Sequence, residues 1–211
     1  LLDYGLGAVP DMGFPGEARG ILPPVGKWAG TSLPTIAIGQ GVSATPIQML
    51  TAFATLANNG RRPAPTLVRG SLDDGGVFTP IQTAEQIEVV PPGIARNIVS
   101  MMEAVVSDGT GTRGQVPGYR VAGKTGTAWK PLAKGGYGED RDEVRYVASF
   151  AGFLPAEAPE LVILVVVDEP ARKTYSGGRA AAPIFADYAQ FAVRQLRIPS
   201  EFERTGLDQV G

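Results

Sequence analysis

The chain has 211 residues, of which 44% are hydrophobic, and a formal net charge of −2 at pH 7. A polypeptide of this length can bury a sizeable core, and it lacks the basic excess that marks nucleic-acid-binding proteins. Because it contains neither histidine nor cysteine, it cannot build a Ser-His-Asp triad, a Cys-His nucleophile, a disulfide or a common zinc site by itself. We therefore expect a globular domain with no metal, no cofactor and no nucleic-acid partner.

The first third of the chain predicts a long loop followed by a helix. Glycine and proline are dense over residues 6–35, which is typical of an ordered, turn-rich loop. Thr45 then precedes Pro46, and Gln48 stands three residues after Thr45, so the pattern indicates a capping box at the start of a helix. Apolar residues recur at helical spacing until the Asn-Asn-Gly sequence that ends at Gly60.

The next part of the chain predicts short strands and a second helix. Residues 61–90 are typical of short strands and turns, with Asp-Asp-Gly-Gly as a hairpin signal. A helix is expected from about Pro92 to Ser107. Its predicted inward stripe consists of Ile94, Ile98, Met101, Met102 and Val105.

The C-terminal part predicts three strands and a final helix. The strand-like segments lie at 119–129, 146–155 and 161–168, and an amphipathic helix follows at 181–196. The predicted apolar face of that helix comprises Ile184, Phe185, Tyr188, Phe191 and Leu196. Strands joined by short turns, with helices before and after, predict an α/β protein of the α+β type, in which an antiparallel sheet is flanked by helices.

The segment around Lys124 allows two interpretations, and the first is a phosphate-binding loop. Gly118 to Thr125 matches G-x-x-x-x-G-K-[ST], and Asp168 and Glu169 follow an apolar run as a magnesium-binding partner would. Such a loop needs a buried strand before the first glycine and a helix beginning at the lysine. A polar turn with a proline precedes Gly118, however, and poor helix formers follow Lys124. The flanks therefore favour a strand, with Asp168 as a polar residue at a strand end.

The second interpretation is a strand along a substrate cleft, carried by Lys124, Thr125, Gly126 and Thr127. An edge strand can receive an extended peptide by main-chain hydrogen bonds, and Gly126 lets the peptide approach closely. Lys124 would place a positive charge beside the reacting centre, and the two threonine hydroxyls could hold a substrate carboxylate.

With this motif the sequence resembles the transpeptidase domain of class B penicillin-binding proteins, the peptidoglycan cross-linking enzymes of bacterial division and elongation. The matching blocks are collinear: FPGEARGILP (14–23), IGQGVSATPIQMLTAFATLANNG (38–60), VAGKTGTA (121–128), FAGFLP (150–155), and a strand followed by YSGGRAAAPIF (161–185 together). The resemblance implies a penicillin-binding, serine β-lactamase-like fold. It also implies that Lys124, Thr125, Gly126 and Thr127 are catalytic. Thr125, Thr127, Tyr175 and Gly177 would contact substrate.

The family's serine nucleophile is missing from the sequence. The family carries it in Ser-x-x-Lys, with a second motif Ser-x-Asn, yet no serine here precedes lysine at that spacing and no Ser-x-Asn occurs. We expect residues 1–211, which do not begin with Met, to be the C-terminal portion of an incomplete domain whose two motifs lie upstream. By resemblance, Lys124 would bond the Ser-x-Asn serine and the Thr127 N–H would form half of the oxyanion hole. The chain alone is expected to be inactive.

The resemblance also implies partners and a location. The parent would act on peptidoglycan stem peptides and react with β-lactams through the missing serine, beside membrane-bound cell-wall synthesis partners. It would be anchored at the extracytoplasmic face of the bacterial cytoplasmic membrane. Two alternatives share the Lys-Thr-Gly strand: a serine β-lactamase or DD-carboxypeptidase relative, and a truncated, non-catalytic module that binds stem peptide or a partner. Arg172, Lys173 and Arg179 would either attract an anionic substrate or form a solvated charged face.

Overall fold

The computed structural model describes residues 1–82, 84–133, 135–137 and 143–206, and the chain divides into two compact units, Leu1–Pro92 and a second beginning at Gly93. The first unit contains two helices and two small antiparallel sheets, in which β1 pairs with β4 and β2 pairs with β3. Their bounds are α1 (Ser32–Ala37), α2 (Pro46–Ala57), β1 (Arg61–Arg62), β2 (Gly70–Leu72), β3 (Phe78–Pro80) and β4 (Ile87–Glu88). The short strands and the Asp-Asp-Gly-Gly turn between β2 and β3 confirm the sequence prediction.

The turn-rich loop is held by its own polar side chains. The backbone N–H groups of Phe14 and Met12 donate to the Glu17 carboxylate at 2.9 Å, and these bonds hold the pKa of Glu17 below its usual range. The loop prediction was wrong at its end, where α1 begins at Ser32. There the Ser32 hydroxyl accepts the Ala29 N–H at 2.9 Å, a local bond that the density of glycine and proline does not reveal.

The predicted capping box of α2 is confirmed. The Thr45 hydroxyl accepts the Gln48 backbone N–H at 3.2 Å, and the side-chain Oε1 of Gln48 accepts the Thr45 backbone N–H at 2.8 Å. Gln48 is 2% exposed, and its amide also donates to the carbonyls of Ala8 and Arg19 at 2.7 and 2.8 Å. One buried side chain therefore both starts the helix and ties the preceding loop to it.

The second unit is built on a three-stranded antiparallel sheet in the order β5–β6–β7, which confirms the predicted α+β arrangement. The helix α3 (Pro92–Ser107) leads into it. The other bounds are β5 (Ala122–Lys130), β6 (Arg145–Leu154), β7 (Leu161–Asp168), α4 (Gly177–Ala180), α5 (Ala182–Leu196) and α6 (Glu201–Gly206). β5 is an edge strand of this sheet, so alternate N–H and C=O groups of β5 face away from β6.

The core of the second unit lies between one face of this sheet and α5. Phe150 of β6 and Phe185 of α5 are both fully buried, and their ring centroids are 4.7 Å apart. Gly152 allows this approach, because a Cβ there would lie 3.1 Å from the Phe185 ring. The surrounding cluster also includes Val106, Val121, Leu154, Ile163, Ala189 and Val193.

The predicted apolar faces of α3 and α5 are partly wrong. On α5, Ile184, Tyr188, Phe191 and Leu196 are 49–60% exposed, and Phe185 packs inward beside a row of buried alanines: Ala182, Ala186, Ala189 and Ala192. On α3, Ile94 and Met101 are exposed, whereas Ala95, Met102 and Val106 are buried. Periodicity selects the stripe with most large apolar residues, whereas the face of α5 that packs into the core combines Phe185 and Val193 with alanines. Within the described residues, no helix is both long enough and apolar enough to cross a membrane.

Candidate active site

Lys124 lies in an extended strand, so the phosphate-loop alternative is wrong. β5 runs from Ala122 to Lys130 with Lys124 opposite Ala151, and it continues as a strand beyond the lysine. Asp168, the proposed magnesium partner, instead accepts a hydrogen bond from Lys130 Nζ at 2.6 Å. Together with the neighbouring Glu169, this bond raises the pKa of Lys130. Among the described residues, no group of three or more acidic side chains could hold a metal ion.

The strand separates the motif residues between the two faces of the sheet. Thr125 lies opposite Phe150, so Thr125 and Thr127 are on the face that also carries the core. Lys124 and Gly126 alternate with them and belong to the other face. Lys124 is exposed, and its Nζ donates to the carbonyl oxygen of Thr125 at 2.9 Å.

Gly177 at the start of α4 packs directly on the backbone of β5. Its N–H donates to the Thr127 hydroxyl at 3.0 Å. A Cβ on Gly177 would lie 2.5 Å from the Gly126 carbonyl oxygen and would also collide with the Ser149 carbonyl oxygen. A Cβ on Gly126 would collide with the Ser149 hydroxyl. These two glycines therefore allow the start of α4 to pack closely on the motif.

A cleft of about 350 Å³ opens beside Thr125 and Thr127. The connection between α3 and β5 also lines it, and the hydroxyl oxygens of Thr110 in this connection and Thr125 of β5 are 2.8 Å apart and hydrogen-bonded. The lining residues are Thr110, Thr112, Arg113, Thr125, Thr127, Ser176, Gly177, Gly178 and Arg179. Two threonines of the predicted motif and Gly177 thus line one cleft, whereas Lys124 and Tyr175 are not among its lining residues.

Tyr175 belongs to an aromatic group at the end of β5. Its ring stacks on Tyr146 with centroids 4.4 Å apart, and Tyr146 is the cross-strand partner of Trp129. Trp129 is 55% exposed and lies 6.0 Å, centroid to centroid, from Tyr137. The aromatic group therefore stands next to Thr127 along the strand, with Tyr175 42% exposed.

Sequence reasoning missed the contributions of Thr110, Thr112 and Arg113 to the cleft and the stacking of Tyr146 on Tyr175. The first three lie in the connection between α3 and β5, for which the sequence analysis predicts no site residue. Tyr146 was placed in a strand, and its position opposite Trp129 depends on the register of β5 and β6. The register of two strands depends on how both of them meet in the folded sheet, so this contact is found from the paired strands.

The family is decided by comparison with known proteins. A family model described as the penicillin binding protein transpeptidase domain matches residues 1–190. The chain belongs to this family. Penicillin-binding protein PbpB of Mycolicibacterium smegmatis is 38% identical over 94% of this chain and 32% of its own length. Peptidoglycan D,D-transpeptidase FtsI of Escherichia coli K12 is 31% identical over 96% of this chain and 32% of its own length.

Solved structures of the transpeptidase family share the fold. The apo crystal structure of penicillin-binding protein 3 from Mycobacterium tuberculosis superposes with a TM-score of 0.84 at 34% identity, covering 95% of this chain and 46% of that one. The same protein has been crystallised with aztreonam and with ampicillin. The chain spans about a third of the length of the curated relatives that it matches. The predicted family resemblance and fold are confirmed.

Proposed function

We propose that the chain supplies the Lys-Thr-Gly-Thr strand of a peptidoglycan D,D-transpeptidase. The observation that supports this most is the exposed edge strand β5, which carries Lys124 on one face and the hydroxyls of Thr125 and Thr127 at a cleft on the other. The relatives named as D,D-transpeptidases match nearly the whole chain. The serine nucleophile and the Ser-x-Asn motif come from a part of the parent protein upstream of residue 1.

In this proposal the reaction is acyl transfer in two steps. The serine oxygen attacks the carbonyl of the penultimate D-Ala, an ester forms, the D-Ala-D-Ala bond breaks, and the terminal D-Ala leaves with the serine proton on its amine. The amine of a second stem peptide then attacks the ester, forms the cross-link and returns a proton to the serine. The donor peptide lies along the free edge of β5 as an added strand. The Thr127 N–H donates to the developing oxyanion, and Lys124 supplies positive charge near the serine.

The same arrangement supports β-lactams as ligands, because they are acyl donors that would esterify the same serine. Two complexes of the Mycobacterium tuberculosis relative, with aztreonam and ampicillin, support this proposal. Since peptidoglycan lies outside the cytoplasmic membrane, we place the parent at its extracytoplasmic face, working with other membrane-bound cell-wall synthesis proteins. Residues 1–211 alone are inactive in this account because they lack the nucleophile.

Lys124→Met in the full-length protein tests the proposal, with Lys27→Met as the matched exposed control. Loss of a charge that acts at the reacting centre should reduce acylation by a fluorescent penicillin about 100- to 1,000-fold. The control should react like the wild type. Equal acylation of both variants would contradict a role for the strand.

A parent that hydrolyses stem peptides without cross-linking them would be a carboxypeptidase or β-lactamase relative, and one that binds them without acylation would be a binding module. Either result would overturn the transpeptidase proposal.

A further inference from the structure

We infer that Arg113 and Arg179 bind the terminal carboxylate of the donor peptide, together with the hydroxyls of Thr125 and Thr127. The inference rests on the proposed function, since it names the group that this cleft recognises. It assigns the positive charge at the carboxylate to two arginines outside the Lys-Thr-Gly motif. Arg113 comes from the connection between α3 and β5, and Arg179 comes from α4.

The two arginines bring positive charge to the cleft. Both line it, and none of the described residues that line it is acidic. Within the described part of the chain, neither guanidinium has a carboxylate within ion-pair distance, whereas Arg120 and Arg204 lie within 3 Å of glutamate oxygens. A pair of arginines without counter-charges, facing the same space, favours an anionic ligand.

The hydroxyl groups of the cleft also have protons left to donate. Thr127 uses its oxygen to accept the Gly177 N–H, and its own O–H donates to no acceptor among the described residues, so it can donate to a ligand. Thr110 and Thr125 share one hydrogen bond, which uses one of their two hydroxyl protons and leaves the other. The cleft therefore offers two hydroxyl donors beside two guanidinium groups, a set that suits the two oxygens of a carboxylate.

Lys124 is not placed to supply this charge. It alternates with Thr125 on β5, lies on the opposite face of the sheet and is absent from the lining of the cleft. Its Nζ is engaged with the Thr125 carbonyl oxygen at 2.9 Å. Lys124 therefore acts at the reacting centre, whereas Thr125, Thr127 and the two arginines bind the carboxylate.

The test compares binding of N-acetyl-D-alanyl-D-alanine and of its C-terminal amide to the full-length protein, followed by NMR titration. The variants are Arg113→Gln, Arg179→Gln and the double substitution, with the exposed Arg96→Gln of α3 as the matched control. Because both arginines are exposed to water, each single variant should weaken binding of the acid about 3- to 10-fold, and the double variant should weaken it more. The amide should bind all variants equally, and Arg→Lys at either position should restore part of the loss.

Several results would overturn the inference. The wild type could bind the acid and the amide equally, or the double variant could keep the wild-type preference for the acid. A parallel loss for acid and amide would mean that the arginines only maintain the structure. Acylation by penicillin is measured separately on the wild type. If it fails while the arginine-dependent preference persists, the catalytic proposal is wrong and the carboxylate site stands.

Discussion

The contact of Gly177 with β5 gives the sharpest structural prediction. Gly177→Ala places a Cβ 2.5 Å from the Gly126 carbonyl oxygen and 3.0 Å from the Gly126 nitrogen, and it also collides with the Ser149 carbonyl oxygen. All three obstacles are backbone atoms of paired strands, so α4 must move instead. Restoring ordinary van der Waals contact requires a shift of about 1 Å, and overpacking of this kind costs about 1–3 kcal/mol of the free energy of unfolding.

The shift also affects the cleft, because Gly177 donates to the Thr127 hydroxyl. A displacement of about 1 Å near reacting groups can lower the rate about 100-fold. We therefore expect Gly177→Ala in the full-length protein to lower both the melting temperature and the rate of acylation by a fluorescent penicillin. Gly93→Ala is the matched control, since it is also near a helix start and its Cβ would meet nothing within 4 Å. Wild-type acylation and stability in Gly177→Ala would refute the packing argument.

Three further predictions concern single side chains of the same protein. Thr110→Val removes the hydroxyl that is hydrogen-bonded to Thr125, and we expect the rate of acylation by a fluorescent penicillin to fall about 2- to 10-fold. An unchanged rate would contradict a role for this hydrogen bond. Phe150→Ala should lower the free energy of unfolding by about 3–5 kcal/mol in chemical denaturation, whereas the half-exposed Trp129→Ala should cost less than about 1 kcal/mol; similar costs would contradict the placement of the core. The Glu17 carboxyl, whose pKa is lowered by backbone N–H groups, should titrate below an ordinary glutamate in NMR. The ionised Glu17 carboxylate stabilises the fold above about pH 4.3, and this stabilisation is lost as the pH falls through the lowered pKa. A titration midpoint equal to that of an ordinary glutamate would refute the role of these hydrogen bonds.

The parts of the fold that depend on local pattern could be predicted from the sequence. Thr45 and Gln48 mark the start of α2 because a capping box is formed by neighbours in the chain. The alternation after Gly118 correctly distinguishes a strand from a phosphate loop. The helix faces could not be assigned in this way, because the partner surface decides whether alanine or a larger residue packs inward, as the buried alanines of α5 show.

Of the candidate site, only the residues that are adjacent in the sequence could be predicted. Lys124 to Thr127 stand together in the sequence, and the chemistry of their side chains is enough to suggest a substrate cleft. Arg113 and Thr110 reach the same cleft from the turn after α3, and their role depends on how that turn folds beside β5. The number of hydroxyl protons that remain for a ligand likewise follows only from the folded structure, because it depends on the hydrogen bonds of Thr127 with Gly177 and of Thr125 with Thr110.

The most direct test of the account locates the covalent adduct of a fluorescent penicillin. The full-length protein and the segment of residues 1–211 are incubated with the label, and labelled peptides are mapped by mass spectrometry. We predict one adduct, on a serine of a Ser-x-x-Lys motif upstream of residue 1 in the full-length protein, and none on the segment alone. An adduct on any serine within residues 1–211, or none on the full-length protein, would contradict the proposal that this strand serves a nucleophile supplied from elsewhere in the parent.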